Sequence, residues 1–160
     1  MKISAQMSIA EASEETQVIG VFQGEDKGGP ICGRDEYSDF LGKLATADVF
    51  KGRKGQSYFL RAIDDGTPNV LFVGLGKPGE ATGEAFRIGG ANAAKRLEAE
   101  KQASAAVDFP TFQRKGLKAM DTEKTANSLA QGMLFAVYAF DAYKSEKAKQ
   151  TTKDVVFYAG

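Results

Sequence analysis

The chain has 160 residues, 42% of them apolar, which is enough to bury one core and short for two independently folded units. Lys plus Arg and Asp plus Glu each total 21, so no net field draws the chain to nucleic acid or to an anionic membrane. There is no histidine, which excludes the imidazole of Ser/His and Cys/His pairs and the commonest zinc ligand. A lone cysteine, Cys32, excludes an internal disulfide and a thiolate metal cluster and fits a reducing, cytoplasmic setting.

The opening MKISAQMSIA alternates, with Ile3, Ala5, Met7 and Ile9 on one side, and predicts an edge strand with one buried face rather than a signal peptide. Gln17 to Phe22 is short, β-branched and apolar, as a strand covered on both faces should be. After GEDKGGPICG, a short helix from Asp35 puts Phe40, Leu41, Leu44 and Ala47 on one side and ends near KGRKG. Ser57–Ile63 and Asn69–Val73 flank the turn sequence DDGTP and predict adjacent antiparallel strands.

From Thr82 to about Glu100, Phe86, Gly90, Ala93 and Leu97 recur at helical spacing, and Ala103 to Phe109 reads as a buried strand stopped by Pro110. The strongest helix runs from Thr122 to about Tyr143 behind Asp121 as N-cap, with Ala126, Leu129, Ala130, Met133, Val137 and Phe140 three or four apart. Its densest apolar stretch, Met133 to Phe140, is far short of the ~20 residues that cross a bilayer as a helix. A lysine-rich connection leads to a final strand at Asp154–Tyr158. This order predicts an α/β fold in three layers, a mixed sheet with helices on both faces. Strand order stays open; the apolarity of the strands at Val70 and Val155 makes them candidates for its centre.

Several groups invite a functional reading. Gly74-Leu75-Gly76-Lys77-Pro78-Gly79 is formally GxGxxG between a strand and a helix, where backbone amides can grip a pyrophosphate. Yet Gly79 precedes the helix start, and no acidic residue ends a strand about twenty positions on, which favours a plain strand-to-helix turn. Gly89-Gly90 costs ~1 kcal/mol per residue of helix propensity, which close helix-to-sheet packing would offset. Asp64-Asp65 reads as turn chemistry, not as a catalytic carboxylate pair. Lys124 and Ser128 stand one helical turn apart as a Ser/Lys dyad would, a spacing that also arises by chance on a surface helix. Cys32 reads as an inert thiol, and the lysines at 144, 147, 149 and 153, with Glu146 among them, as a solvated connector.

Val70-Leu71-Phe72-Val73-Gly74-Leu75-Gly76-Lys77, followed by a helix with Gly89-Gly90-Ala91, resembles the N-terminal domain of the leucyl (cytosol) aminopeptidase family. Phe50-Lys51-Gly52-Arg53-Lys54-Gly55-Gln56 looks like that family's loop before the third strand. Gln131-Gly132-Met133-Leu134 through Tyr138, Phe140, Asp141, Tyr143 and Lys144 looks like its last helix. The resemblance spans about residues 17 to 158.

It implies a macrodomain-like domain that precedes a C-terminal peptidase domain carrying two divalent ions, zinc or manganese, and that assembles into a homo-hexamer acting on peptides. Nothing here matches the family's Asn-Thr-Asp-Ala-Glu-Gly-Arg metal signature, so no catalytic, cofactor or metal residue is carried over. The end at Val155-Val156-Phe157-Tyr158-Ala159-Gly160 looks like a cut at the junction with that second domain. The resemblance therefore implies an N-terminal domain supporting assembly and substrate access. The alternative is a freestanding module that takes a nucleotide or ADP-ribose in the glycine loop.

Overall fold

A computed structural model describes residues 1–25, 28–114, 117, 120–143 and 151–160. Among the described residues, seven strands form one sheet: β1 (Lys2–Gln6), β2 (Thr16–Phe22), β3 (Ile31–Cys32), β4 (Ser57–Leu60), β5 (Asn69–Gly74), β6 (Ser104–Asp108) and β7 (Asp154–Tyr158). Their order is β1-β7-β6-β2-β5-β4, and β3 pairs with the far end of β2. The β1/β7, β7/β6, β6/β2 and β2/β5 ladders are parallel, whereas β4/β5 and β2/β3 are antiparallel. The sheet is therefore mixed, as the connection lengths require.

Helix α1 (Ser38–Thr46) covers one face, and α2 (Gly83–Ala99) and α3 (Thr122–Tyr143) cover the other. Strand alternation divides the core accordingly. Ile19, Val21, Val70 and Phe72 meet Leu41, Leu44 and Phe50, while Val18, Leu71, Val73, Val107 and Val155 meet Phe86, Leu97, Leu129 and Met133. Asp121 caps α3 as predicted, its Oδ1 accepting the Lys124 amide at 2.8 Å.

Some expectations need correction. Ile3 is half-buried and packs against the core, but Ala5 is exposed and Met7 is 81% exposed, because β1 stops at Gln6 on the border of the sheet. The strand from Ser57 ends at Leu60, and Ile63 is 99% exposed, because the DDGTP turn takes over the chain. Ala47 lies past the end of α1 and is exposed. The strands at Val70 and Val155 are interior, yet β6 and β2 hold the centre. Strand β3 and the 3-10 turn Phe109–Phe112 carry no pattern long enough to be read. The turn nonetheless completes the hydrogen bonding of β2. Where the β6 ladder stops, Thr111 Oγ1 accepts the Gly20 amide at 2.8 Å in place of a strand partner.

Candidate functional site

The glycine loop leaves β5 at Gly74 and reaches α2 through a 3-10 turn, Pro78–Glu80. Its first three amides are spent within the fold. Gly74 donates to the Gln56 carbonyl at 2.8 Å, Leu75 to Val21 at 3.0 Å and Gly76 to Gly52 at 2.9 Å. The glycines admit a neighbouring backbone: a Cβ on Gly74 would fall 2.1 Å from the Arg53 carbonyl oxygen, and Gly76 takes a φ of 80°. The segment Phe50–Gln56 supplies that backbone. Phe50 anchors it in the core, and Gln56 Oε1 closes it by accepting the Lys51 and Arg53 amides at 2.9 and 3.1 Å. Gly79, with nothing within 4 Å of its Cβ direction, precedes the helix by several residues and packs nothing. The loop is built as a turn.

Gly89 and Gly90 face different partners. Gly89 lies against Leu75 and Val73 of the sheet side, as close packing predicts, whereas Gly90 meets the Leu129 backbone of α3. Gly132 returns the contact, its Cβ direction ending 2.0 Å from the Arg87 carbonyl oxygen. Lys124 is exposed and Ser128 is buried beside Gly83 and Arg87, so the two side chains occupy different environments. Cys32 is half-buried, and burial raises its thiol pKa above the ordinary value. Of the connector lysines, those at 144, 147 and 149, with Glu146, lie outside the described residues, and Lys153 is exposed.

Another concavity lies elsewhere. An open cleft of about 890 Å³ is lined by Glu14, Glu15, Arg34, Glu36, Asp64 and Asp65 among others. The DDGTP segment is a turn, as predicted, but it also forms one wall of this cleft. Also in the lining, Arg34 grips Asp108 with two hydrogen bonds, Nε to Oδ2 at 2.6 Å and Nη2 to Oδ1 at 2.7 Å. The Asp108 side chain is 3% exposed and that of Arg34 34%. The carboxylate's hydrogen bond raises the Arg34 pKa further and holds the fork in one orientation. Sequence reasoning missed this pair. Its one signal is a carboxylate closing the buried strand SAAVD, a charge that needs a partner, but Arg34 lies 74 positions away. Among the described residues, no group of three or more His, Cys, Asp or Glu is placed to hold a metal ion, and no helix is long and apolar enough to cross a membrane.

Comparison with known proteins places this geometry. The family model described as "Cytosol aminopeptidase family, N-terminal domain" matches residues 18–147. The chain belongs to the cytosol aminopeptidase family. A probable cytosol aminopeptidase of Azotobacter vinelandii is 34% identical over 137 residues, 83% of this chain and 27% of the relative. This N-terminal domain thus spans about a quarter of the length of the curated relatives it matches. Among solved structures, a tomato leucine aminopeptidase mutant shares the fold at a TM-score of 0.73 and 19% identity, over 99% of this chain and 32% of that one. The macrodomain of Thermus aquaticus DarG aligns over 99% of both chains at 0.66 and 11% identity, so the macrodomain-like α/β fold is shown.

Proposed function

We propose that this chain is the noncatalytic N-terminal domain of a metal-dependent leucyl aminopeptidase of the cytoplasm. In this reading it supports homo-hexamer assembly and substrate access, while a C-terminal peptidase domain releases N-terminal residues from peptides. The observation that carries it is the engagement of the Gly74, Leu75 and Gly76 amides by backbone carbonyls, which makes the most conspicuous candidate site part of the scaffold. The two divalent ions, zinc or manganese, belong to the peptidase domain in this reading. The described residues offer no ligand cluster that fits them, so no step of hydrolysis is assigned to these side chains.

The test assays the purified chain on an aminoacyl chromogenic substrate with manganese or zinc, alone and fused to the peptidase domain of the Azotobacter vinelandii relative. The chain alone is expected to show no metal-dependent turnover, and the fusion to hydrolyse the substrate as a larger assembly than the bare peptidase domain. Metal-dependent turnover by the chain alone would overturn the reading. A second reading, ADP-ribose or nucleotide binding in the loop Gly74–Gly79, draws support from the fold likeness to macrodomains. Calorimetry separates them: a saturable heat with ADP-ribose favours the binding module, and its absence favours the scaffold.

A further inference from the structure

Strand β1 borders the sheet, and among the described residues its strand partner is β7 alone. In a parallel ladder each residue turns its N–H and C=O to one side, and the next residue turns them to the other. Lys2 donates to the Lys153 carbonyl and Gln6 accepts from the Ala159 amide, so Lys2, Ser4 and Gln6 address β7. The N–H and C=O groups of Ile3 and Ala5 therefore point out of the sheet, without a strand partner among the described residues. The same alternation sets the Ile3 and Ala5 side chains on the α3 face, where a groove of about 380 Å³ runs between them and Ala126, Ala130 and Phe157. Met7, just past the end of the strand, is 81% exposed.

Natural sheets protect such borders with proline, bulges, charge or very short strands. The opposite border does so: β4 has four residues, and the Arg61 guanidinium lies 5.2 Å from the Phe59 ring centroid beside it. Strand β1 has five residues and no proline, and its one charge, Lys2, lies at its first position on the sheet face opposite Ile3 and Ala5. We propose that this chain forms a homodimer in which β1 adds antiparallel to β1 of a second copy, about a twofold axis at Ser4.

A second copy is the occupant because the strand KISAQ is self-complementary under that operation. Ile3 falls opposite Ala5 of the second copy and Ala5 opposite Ile3, each pair exchanging both backbone hydrogen bonds. On the other sheet face Gln6 faces Lys2. Apolar meets apolar and polar meets polar at every position, and the partner strand roofs the groove beside α3. The inference stands apart from the aminopeptidase reading.

Sedimentation equilibrium of the chain from about 1 to about 200 µM tests it, a span that brackets weak self-association. The mass is expected to rise from 17.1 kDa toward twice that value. Ala5→Pro removes an outward donor that β7 does not use, and Ala5→Lys sets a charge in the groove. Each should weaken the dimer at least about tenfold. In the unsubstituted chain, exchange protection of the Ile3 and Ala5 amides should grow with concentration, which decides the matter even if both variants fail to fold. A mass fixed at 17.1 kDa, a dimer indifferent to both variants, or concentration-independent exchange at Ile3 and Ala5 would overturn the proposal.

Discussion

Alanine at Gly90 or Gly132 should destabilise the domain, although alanine is the better helix former. The two glycines lie where α2 crosses α3 with backbone against backbone. A Cβ at Gly90 would sit 2.2 Å from the Leu129 carbonyl oxygen, and one at Gly132 would sit 2.0 Å from that of Arg87, where ordinary contact begins at 3.4 Å. The atoms in the way are helix backbone and cannot swing aside, so the helices must part by about 1 Å and loosen the packing of Phe86, Leu129 and Met133. Such overpacking costs about 1–3 kcal/mol, and the propensity gain returns about 1 kcal/mol. A net loss of up to about 2 kcal/mol lowers the midpoint of a domain this size by up to about 8 °C. Gly42 is the control: it lies inside α1 with nothing within 4 Å, so Gly42→Ala should stabilise by about 0.5–1 kcal/mol. Thermal and urea unfolding followed by circular dichroism give both signs. If Gly90→Ala stabilised as much as Gly42→Ala, the close crossing would be refuted.

Arg34→Ala should cost about 2–4 kcal/mol in urea unfolding, because it strands the Asp108 carboxylate in a buried position; the double change with Asp108→Asn should recover part of the loss. A fully additive pair of losses would contradict the clamp. Glu98 accepts the Thr151 and Thr152 amides at 3.1 and 2.7 Å and so tethers the start of β7 to α2. Glu98→Ala should cost about 1–3 kcal/mol and speed exchange in β7, and unchanged exchange there would count against the tether. Burial raises the Cys32 pKa, so at mildly alkaline pH the folded chain holds less thiolate than the unfolded one. Iodoacetamide should label the folded chain about tenfold or more slowly than the urea-unfolded chain, with the gap closing as pH rises through the folded-state value.

The long periodic segments announced themselves. Thr122–Tyr143 and Gly83–Ala99 carry several turns of one apolar face, and the β2 and β5 strands are continuous apolar runs, so helix and strand type followed from period alone. What stayed hidden depends on partners distant in sequence. Strand β3 has two residues and exists because the end of β2 beyond Ile19 has lost β6 as a neighbour. Met7 continued the alternation of β1 in sequence but not in the sheet, because period does not reveal where a neighbouring strand ends. The Arg34–Asp108 clamp was invisible for the same reason: burial of an aspartate at the end of a strand demands a cation, and nothing local says which one.

The glycine loop shows why a motif alone does not specify a ligand. In a phosphate-gripping loop, glycine clears a path for backbone amides to reach an anion from outside the chain. Here it clears the same path for the chain itself. The space a Gly74 side chain would need holds the Arg53 carbonyl, and the Gly74, Leu75 and Gly76 amides end on Gln56, Val21 and Gly52. The residue pattern is common to both cases because both need a tight exit from a buried strand and a close approach of backbone. They part at the occupant of the cleared volume, which is set by the length and closure of the preceding loop. In this domain Phe50 buries one end of that loop and Gln56 ties it shut. The substitution that would open it is therefore at Gln56, outside the glycine motif.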